Sequence, residues 1–347
     1  MIRLESFYGQ GENVRTLIAS VRSDTLPHAC IVSGAAGTGR RTLVRLICKA
    51  LFCETFGEED LMGIRTEPCG ACPACLQIEA DTYPGVVTLA PDKPLTPDAK
   101  PDRKTISIDD IREVIRLCGQ FSGDKGRAVI IEKAESMTPQ AQNTLLKTLE
   151  EPPEGTHFFL ITDRPENLLT TIISRCTRLH LQPWPDDYLK KLLLADGIPE
   201  SRAAETILYA GGSIGKAREL AMNEEYWKYR AEIREKAFNI AQRSDIFTTA
   251  SSMKDNKTQF ESFCDTMESL LMTLLYVRNG QLPDTAVKEF PEPWRNFAKS
   301  APIENFDNIF RALSECREMR TFNVNIQAII ENLLLLLMEE QTKWRKS

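Results

Sequence analysis

Short apolar runs recur through the first half of the chain, and between them lie stretches whose apolar positions fall three to four residues apart. The runs predict strands at Ala29 to Ser33, Val86 to Ala90, Ala128 to Glu132, Phe158 to Thr162 and Arg178 to Leu181. Strands alternating with helices predict an α/β domain on a parallel sheet over residues 1–181. The helices carry start and stop signals. Arg41 to Phe52 follows a glycine-rich loop, Ile108 to Cys118 opens behind Ser107, and a helix starting at Thr138-Pro139 runs to Glu150 and stops at Pro152-Pro153.

After Leu181 the strand pattern ends. Asp186 to Ala195, Ser201 to Ala210 and the turn Gly211-Gly-Ser-Ile-Gly215 predict a small helical domain over residues 182–222. Beyond it Glu261 to Arg278, Phe306 to Glu318 and Asn325 to Glu340 repeat the helical spacing, which predicts a helical bundle over residues 223–347. Two readings of these last helices stay open: a self-contained bundle whose apolar stripe is core, or a collar that assembles with other chains.

Composition narrows the function classes. The formal net charge is −6 over 347 residues, so the chain is not a basic nucleic-acid coat, and any contact with DNA is local or shared with partners. Lys100, Arg103 and Lys104 lie among prolines and aspartates and read as a solvated connection rather than a DNA site. The start of the chain does not read as a secretion signal, and the apolar run Leu333 to Met338 is too short to span a bilayer, so a cytoplasmic protein with no membrane role is expected. Ten cysteines in such a chain suggest metal and core positions rather than disulfides.

Four of them group. Cys69, Cys72 and Cys75 are spaced by two residues each, and fifteen residues separate Cys53 from Cys69. Four soft ligands with no open position predict a structural Zn²⁺ that fastens an insertion, with reduced metal-free thiols as the alternative.

The loop Gly34-Ala-Ala-Gly37-Thr-Gly39-Arg40-Arg41-Thr42 has the glycine spacing of a phosphate-binding loop between strand and helix. In an intact loop a Lys reaches the β- and γ-phosphates and a hydroxyl ligates Mg²⁺. Arg40 and Arg41 occupy those two places, and Thr42 comes one residue late. A guanidinium is a planar fork rather than a point charge, and it cannot ligate a cation. The next element expected of such a site is an apolar strand ending in Asp-Glu. Here the strand ends in Glu132-Lys133, which keeps an acid at the metal position and puts a cation where the general base belongs.

The stretch Gln142 to Pro153 (QNTLLKTLEEPP), the strand Phe158 to Thr162 and the triplet Ser174-Arg175-Cys176 follow. Together with the broken loop, the four-cysteine insertion, the turn GGSIGKA and the late helix NVNIQAIIENLLL, they resemble the clamp-loader branch of the AAA+ family over most of the chain. The resemblance implies an AAA+ α/β domain with a zinc insertion, a helical lid and a helical collar, set in a ring where each ATP lies between neighbouring subunits. It implies that Arg175 reaches into a neighbour's ATP site as a finger in trans, although by itself Arg175 would be read as a surface or helix-end ion pair. Removing such a finger costs roughly 10³ to 10⁵ in rate by the GTPase analogy. Thr162 matches the position that senses the γ-phosphate, or is an ordinary strand-end hydroxyl. Gly215 stands where ATP-hydrolysing relatives carry a lid arginine.

Gly34, Gly37, Gly39, Arg40, Thr42, Glu132 and Thr162 therefore outline a degenerate nucleotide site, expected to be empty or weak. The implied role is a non-hydrolysing stator of a clamp loader, with gamma/tau-like ATPase and delta-like subunits, a sliding clamp and primed DNA as partners. Two rivals are an ATP-hydrolysing motor subunit of the same loader and a zinc-stabilised adaptor outside replication. The first predicts an intact Lys and Asp-Glu; the second leaves Ser174-Arg175-Cys176 without a reason.

Overall fold

The computed structural model describes residues 3–23, 25–60, 63–96, 103–120, 126–240, 242–251, 257–321 and 324–343. The chain divides into two compact units: Met1–Trp184 with Gly212–Gly215, and Pro185–Gly211 with Lys216–Ser347.

The first unit begins with a tight 3-10 turn, Leu4–Gln10, followed by α1 (Glu12–Arg22), β1 (Ala29–Gly34) and α2 (Arg40–Phe52). Next come the hairpin strands β2 (Glu59–Asp60) and β3 (Gly63–Ile64), then α3 (Pro73–Glu79), β4 (Val86–Leu89) and α4 (Ile108–Gln120). It closes with β5 (Arg127–Glu132), α5 (Pro139–Glu150), β6 (Thr156–Thr162), α6 (Thr170–Ile173) and β7 (Thr177–Leu181). The main sheet runs β4-β5-β6-β1-β7, and every neighbouring pair in it is parallel. This is an α/β fold on a five-stranded parallel sheet, as the alternation of strands and helices predicts. A parallel sheet is covered by crossover helices on both faces, which is why β1 is buried at every position and its first four residues read in sequence as an apolar run.

The local signals explain the helix limits. At α5 the Thr138 side chain accepts the Ala141 N–H at 3.2 Å, Pro139 sits in the first turn, and the helix stops ahead of Pro152-Pro153. At α4 Ser107 and Asp110 form a reciprocal cap: the Asp110 N–H donates to Ser107 Oγ at 3.4 Å, and Ser107 N–H donates to Asp110 Oδ2 at 2.9 Å. Asp110 is fully buried and takes a further bond from Arg103 at 2.8 Å and one from Thr96 at 3.1 Å. Arg103 is thus not part of a solvated connection. It neutralises a buried carboxylate, and sequence spacing could not show this because the partner lies across a helix start. Lys104 is exposed, and Lys100 lies outside the described residues.

The second unit is helical among the described residues: α7 (Asp186–Ala195), α8 (Glu200–Ala210), α9 (Ile214–Met222), α10 (Glu224–Phe238) and α11 (Arg243–Ser251), then α12 (Lys257–Arg278), α13 (Glu292–Ser300), α14 (Ile303–Thr321) and α15 (Ile326–Lys343). Its core joins Phe263, Met267, Leu270 and Leu274 of α12 to Phe306, Ile309 and Leu313 of α14 and to Ile326, Ile329, Ile330, Leu333, Leu334 and Leu337 of α15. The stripe of the last helix is therefore core of its own unit. No helix among the described residues is long and apolar enough to cross a membrane.

Candidate nucleotide site and cysteine cluster

The carboxyl end of a parallel sheet is where an α/β fold binds ligands. β1 delivers the glycine loop there, β5 delivers Glu132 and β6 delivers Thr162; Ser33 and Thr162 are register partners, as are Glu132 and Ile161. The sequence-predicted loop, Glu132 and Thr162 thus lie at one sheet end.

The loop is gripped by its own chain. A Cβ on Gly34 would stand 2.6 Å from the Leu181 carbonyl oxygen, one on Gly37 2.0 Å from Ser213 Oγ, and one on Gly39 3.2 Å from Phe7 Cζ. The Gly37 carbonyl accepts the Gly215 N–H at 3.1 Å, and the Thr38 carbonyl accepts the Trp184 indole N–H at 2.8 Å. Phe7 packs edge-on against Trp184, with ring centroids 5.3 Å apart. Inside the loop the Thr38 N–H donates to the Ala35 carbonyl at 3.3 Å, so this N–H is turned to the chain itself. The turn Gly212–Gly215 thus lies against the phosphate loop.

Two arginines open α2. Cations at a helix N-terminus oppose the macrodipole, so each needs a local reason. Arg41 Nε lies 2.8 Å from Glu132 Oε1, and its NH2 lies 3.3 Å from Asp81 Oδ2. Asp81 also holds Arg45 at 2.9 Å and Lys93 at 3.5 Å, on a backbone in the left-handed region at φ 54°. Burial raises the Glu132 pKa above the ordinary carboxylate value and outweighs the pull of Arg41. Burial lowers the Arg40 pKa, opposed by the nearby charges of Asp163 and Glu135. Arg41, rather than Thr42, is the α2 residue paired with Glu132, and Thr42 is half-buried in the first turn. A guanidinium therefore stands against the acid that a working site uses for Mg²⁺. Thr162 is buried, and its hydroxyl accepts the Arg164 N–H at 3.1 Å. Lys133, which follows Glu132, is also left-handed at φ 51°.

Arg175 follows α6 and is held by Glu150 at the end of α5 and by Thr171 of α6. Its Nε donates to Glu150 Oε1 at 2.7 Å, its NH2 pairs with the same carboxylate, and its NH1 donates to the Thr171 carbonyl at 2.9 Å.

The cysteines assemble as the spacing predicts. The Sγ atoms of Cys53, Cys69, Cys72 and Cys75 lie within 4.8 Å of one another. Cys53 caps α2, Gly70 turns the chain at φ 69°, and Cys75 comes from α3. The amides of Ala71 and Cys72 donate to Cys69 Sγ at 3.4 and 3.2 Å and pull its pKa down to about 6. The Cys69 amide donates to Cys53 Sγ at 3.4 Å, and burial pushes the Cys75 pKa up. Four thiolates at about 2.3 Å from a common tetrahedral centre fit Zn²⁺. This set could hold such an ion, and it offers no place for a substrate. The loop before it is tied to the amino-terminal turn: Glu67 accepts the Leu4 and Glu5 N–H groups at 2.9 and 2.7 Å.

Sequence reasoning missed Asp81, Glu150, Ser213 and Trp184. Two carried a local signal: Trp184, set between two prolines, and Ser213, inside the glycine turn.

The family described as "DNA polymerase III, delta subunit" matches residues 9–185, just over half of the chain. The chain is 28% identical over 331 residues to the DNA polymerase III subunit delta' of Bacillus subtilis, covering 94% of this chain and 95% of that one. It belongs to the delta-prime family of DNA polymerase III. The delta' of Escherichia coli is 28% identical over 323 residues, covering 92% and 91%. The tau subunit of E. coli is 34% identical over only 174 residues, 49% of this chain and 24% of its own length. The delta-prime likeness therefore spans both units, whereas the tau likeness covers half of the chain.

Proposed function

We propose that this delta-prime family chain is the non-hydrolysing stator of a bacterial clamp loader, helping to place a sliding clamp on primed DNA. The observation that carries the reading is the Arg41–Glu132 pair at 2.8 Å, which gives the acid of a would-be Mg²⁺ site a built-in cation. The turn Gly212–Gly215 supports it, since it packs closely on Gly37 of the loop. Gly34, Gly37, Gly39, Arg40, Thr42, Glu132 and Thr162 are then a degenerate nucleotide site, empty or weak.

Its chemistry is then done on a neighbour. Arg175 serves as the finger in trans, placing fixed positive charge where the γ-phosphate develops charge in an adjacent ATPase subunit. The partners are gamma/tau-like and delta-like subunits, the clamp, and primed DNA through the assembly, in the cytoplasm. Residues 182–222 act as lid and 223–347 as collar, the apolar stripe of α15 being already used in the core of its own unit. Zn²⁺ on Cys53, Cys69, Cys72 and Cys75 is structural.

The test has two arms. The isolated chain is titrated with a fluorescent ATP analogue and Mg²⁺, and its own turnover is measured; binding or turnover like that of a motor subunit would overturn the stator reading. The loader is then reconstituted with this chain or its Arg175→Ala variant. A fall in DNA- and clamp-stimulated ATPase of roughly 10³-fold or more at the site it serves is expected for a finger. An unchanged rate would remove Arg175 from the mechanism.

A further inference from the structure

Glu150 occupies an electrostatically poor position. It is the last residue of α5, where the carbonyl end of the helix repels a carboxylate and favours a cation such as Lys147 one turn earlier. Its partner accounts for the placement, because its carboxylate accepts from two nitrogens of Arg175. The third nitrogen is taken by the Thr171 carbonyl at 2.9 Å, with Ser174 Oγ at 3.4 Å. All three guanidinium nitrogens are thus engaged within the chain. Yet the pair sits at the surface, with the Arg175 and Glu150 side chains 35% and 48% exposed.

We propose that Glu150 is the positioning residue of Arg175: it parks the guanidinium in the free chain and in the resting loader, and gives it up to a neighbour's phosphate when clamp and DNA bind. This rests on the finger reading above and adds its regulation. A carboxylate and a phosphate compete for the same fork of N–H donors, and the guanidinium cannot satisfy both through the same edge. The competition is close enough to switch, because a half-exposed ion pair shifts an equilibrium by up to about five-fold. Parking lowers the share of assembled loaders in which Arg175 faces phosphate, and clamp and DNA binding raise it by ordering the subunit boundary. Glu150→Gln keeps the size of the side chain and one acceptor oxygen while removing the charge that holds Arg175 back.

Two measurements test this. In the isolated chain the Arg175 Nε–H is followed by ¹⁵N NMR: slow solvent exchange is expected in the native chain and faster exchange in Glu150→Gln, and equal exchange in both would overturn the parking. The reconstituted loader is then assayed for ATPase without DNA. Glu150→Gln is expected to raise the basal rate about two- to five-fold while leaving the DNA-stimulated rate within a factor of two. In the Arg175→Ala background the same change should do nothing. A fall in basal rate with Glu150→Gln, or an equal rise in the Arg175→Ala background, would overturn the proposal. Loss of the finger reading itself would show separately, as an Arg175→Ala loader that retains full stimulated activity.

Discussion

Arg41 Nε and Glu132 Oε1 lie 2.8 Å apart, joining the first turn of α2 to the end of β5 across the mouth of the phosphate loop. The contact lies within the first unit, between a half-exposed guanidinium and a mostly buried carboxylate. It ties two elements of the sheet domain together.

That bond has a measurable strength. Arg41 is just over half exposed and Glu132 mostly buried, so screening limits the coupling. A double-mutant cycle with Arg41→Ala and Glu132→Gln, read by urea unfolding, should give a coupling of about 0.5–1 kcal/mol. Arg41→Ala alone should cost more than Glu132→Gln alone, because it leaves a buried carboxylate without its partner. The reverse order would mean that Glu132 is held mainly by other groups.

Asp110 should be the costliest single polar change in the sheet domain. It is fully buried and serves Ser107, Arg103 and Thr96 at once. Asp110→Ala should lose about 3 kcal/mol, combining a helix cap with a broken buried ion pair. Burial works to raise its pKa, but the bonds from Ser107 and Arg103 prevail and hold it below the ordinary value of 3.8. A carboxylate whose folded pKa is depressed adds stability above its unfolded pKa and loses it as pH falls through the folded one. The native chain should therefore lose stability on acidification below about pH 4, and Asp110→Asn should flatten that limb of a chemical-denaturation pH series.

Metal removal should be felt in the first residues of the chain. Purified protein should contain one Zn²⁺, and a strong chelator or Cys72→Ser should lower the melting temperature. Because Glu67 ties the Leu4 and Glu5 amides to the loop before Cys69, hydrogen exchange at Leu4–Gln10 should rise with chelation. Unchanged exchange there would separate the cysteine cluster from the amino-terminal turn.

Gly37 should not tolerate a side chain. Its φ of 78° is costly for other residues, and an added Cβ would overlap Ser213 Oγ. Gly37→Ala should destabilise by about 1–3 kcal/mol. Adding Ser213→Gly should recover only the steric part, leaving the backbone cost. Full recovery would mean that the loop conformation itself is unstrained.

The main strands were legible to within two residues at each end because a buried parallel sheet writes itself as apolar runs bounded by turn residues. Helix α5 was legible to the residue, since a threonine cap, a proline and a proline pair mark both ends. α10 was harder. It is rich in charge, and one of its buried positions is Arg230, which pairs with buried Glu205 where a periodic pattern expects an apolar side chain. The cysteine cluster was legible from spacing alone. In the phosphate loop the sequence displayed the replacements but not their partners: Asp81 lies forty residues from Arg41, and its role comes from where the chain returns. Arg103 was misread for the same reason.

The glycines of the phosphate loop now answer to Leu181, Ser213 and Phe7. A mutational scan of this chain would find them intolerant of change, and the pattern would mimic the fingerprint of a living ATP site. Selection for carpentry and selection for catalysis leave the same scar at these positions. On the stator reading, the positions that tell the two apart are those where the demands diverge: Arg40-Arg41, Lys133 and Gly215.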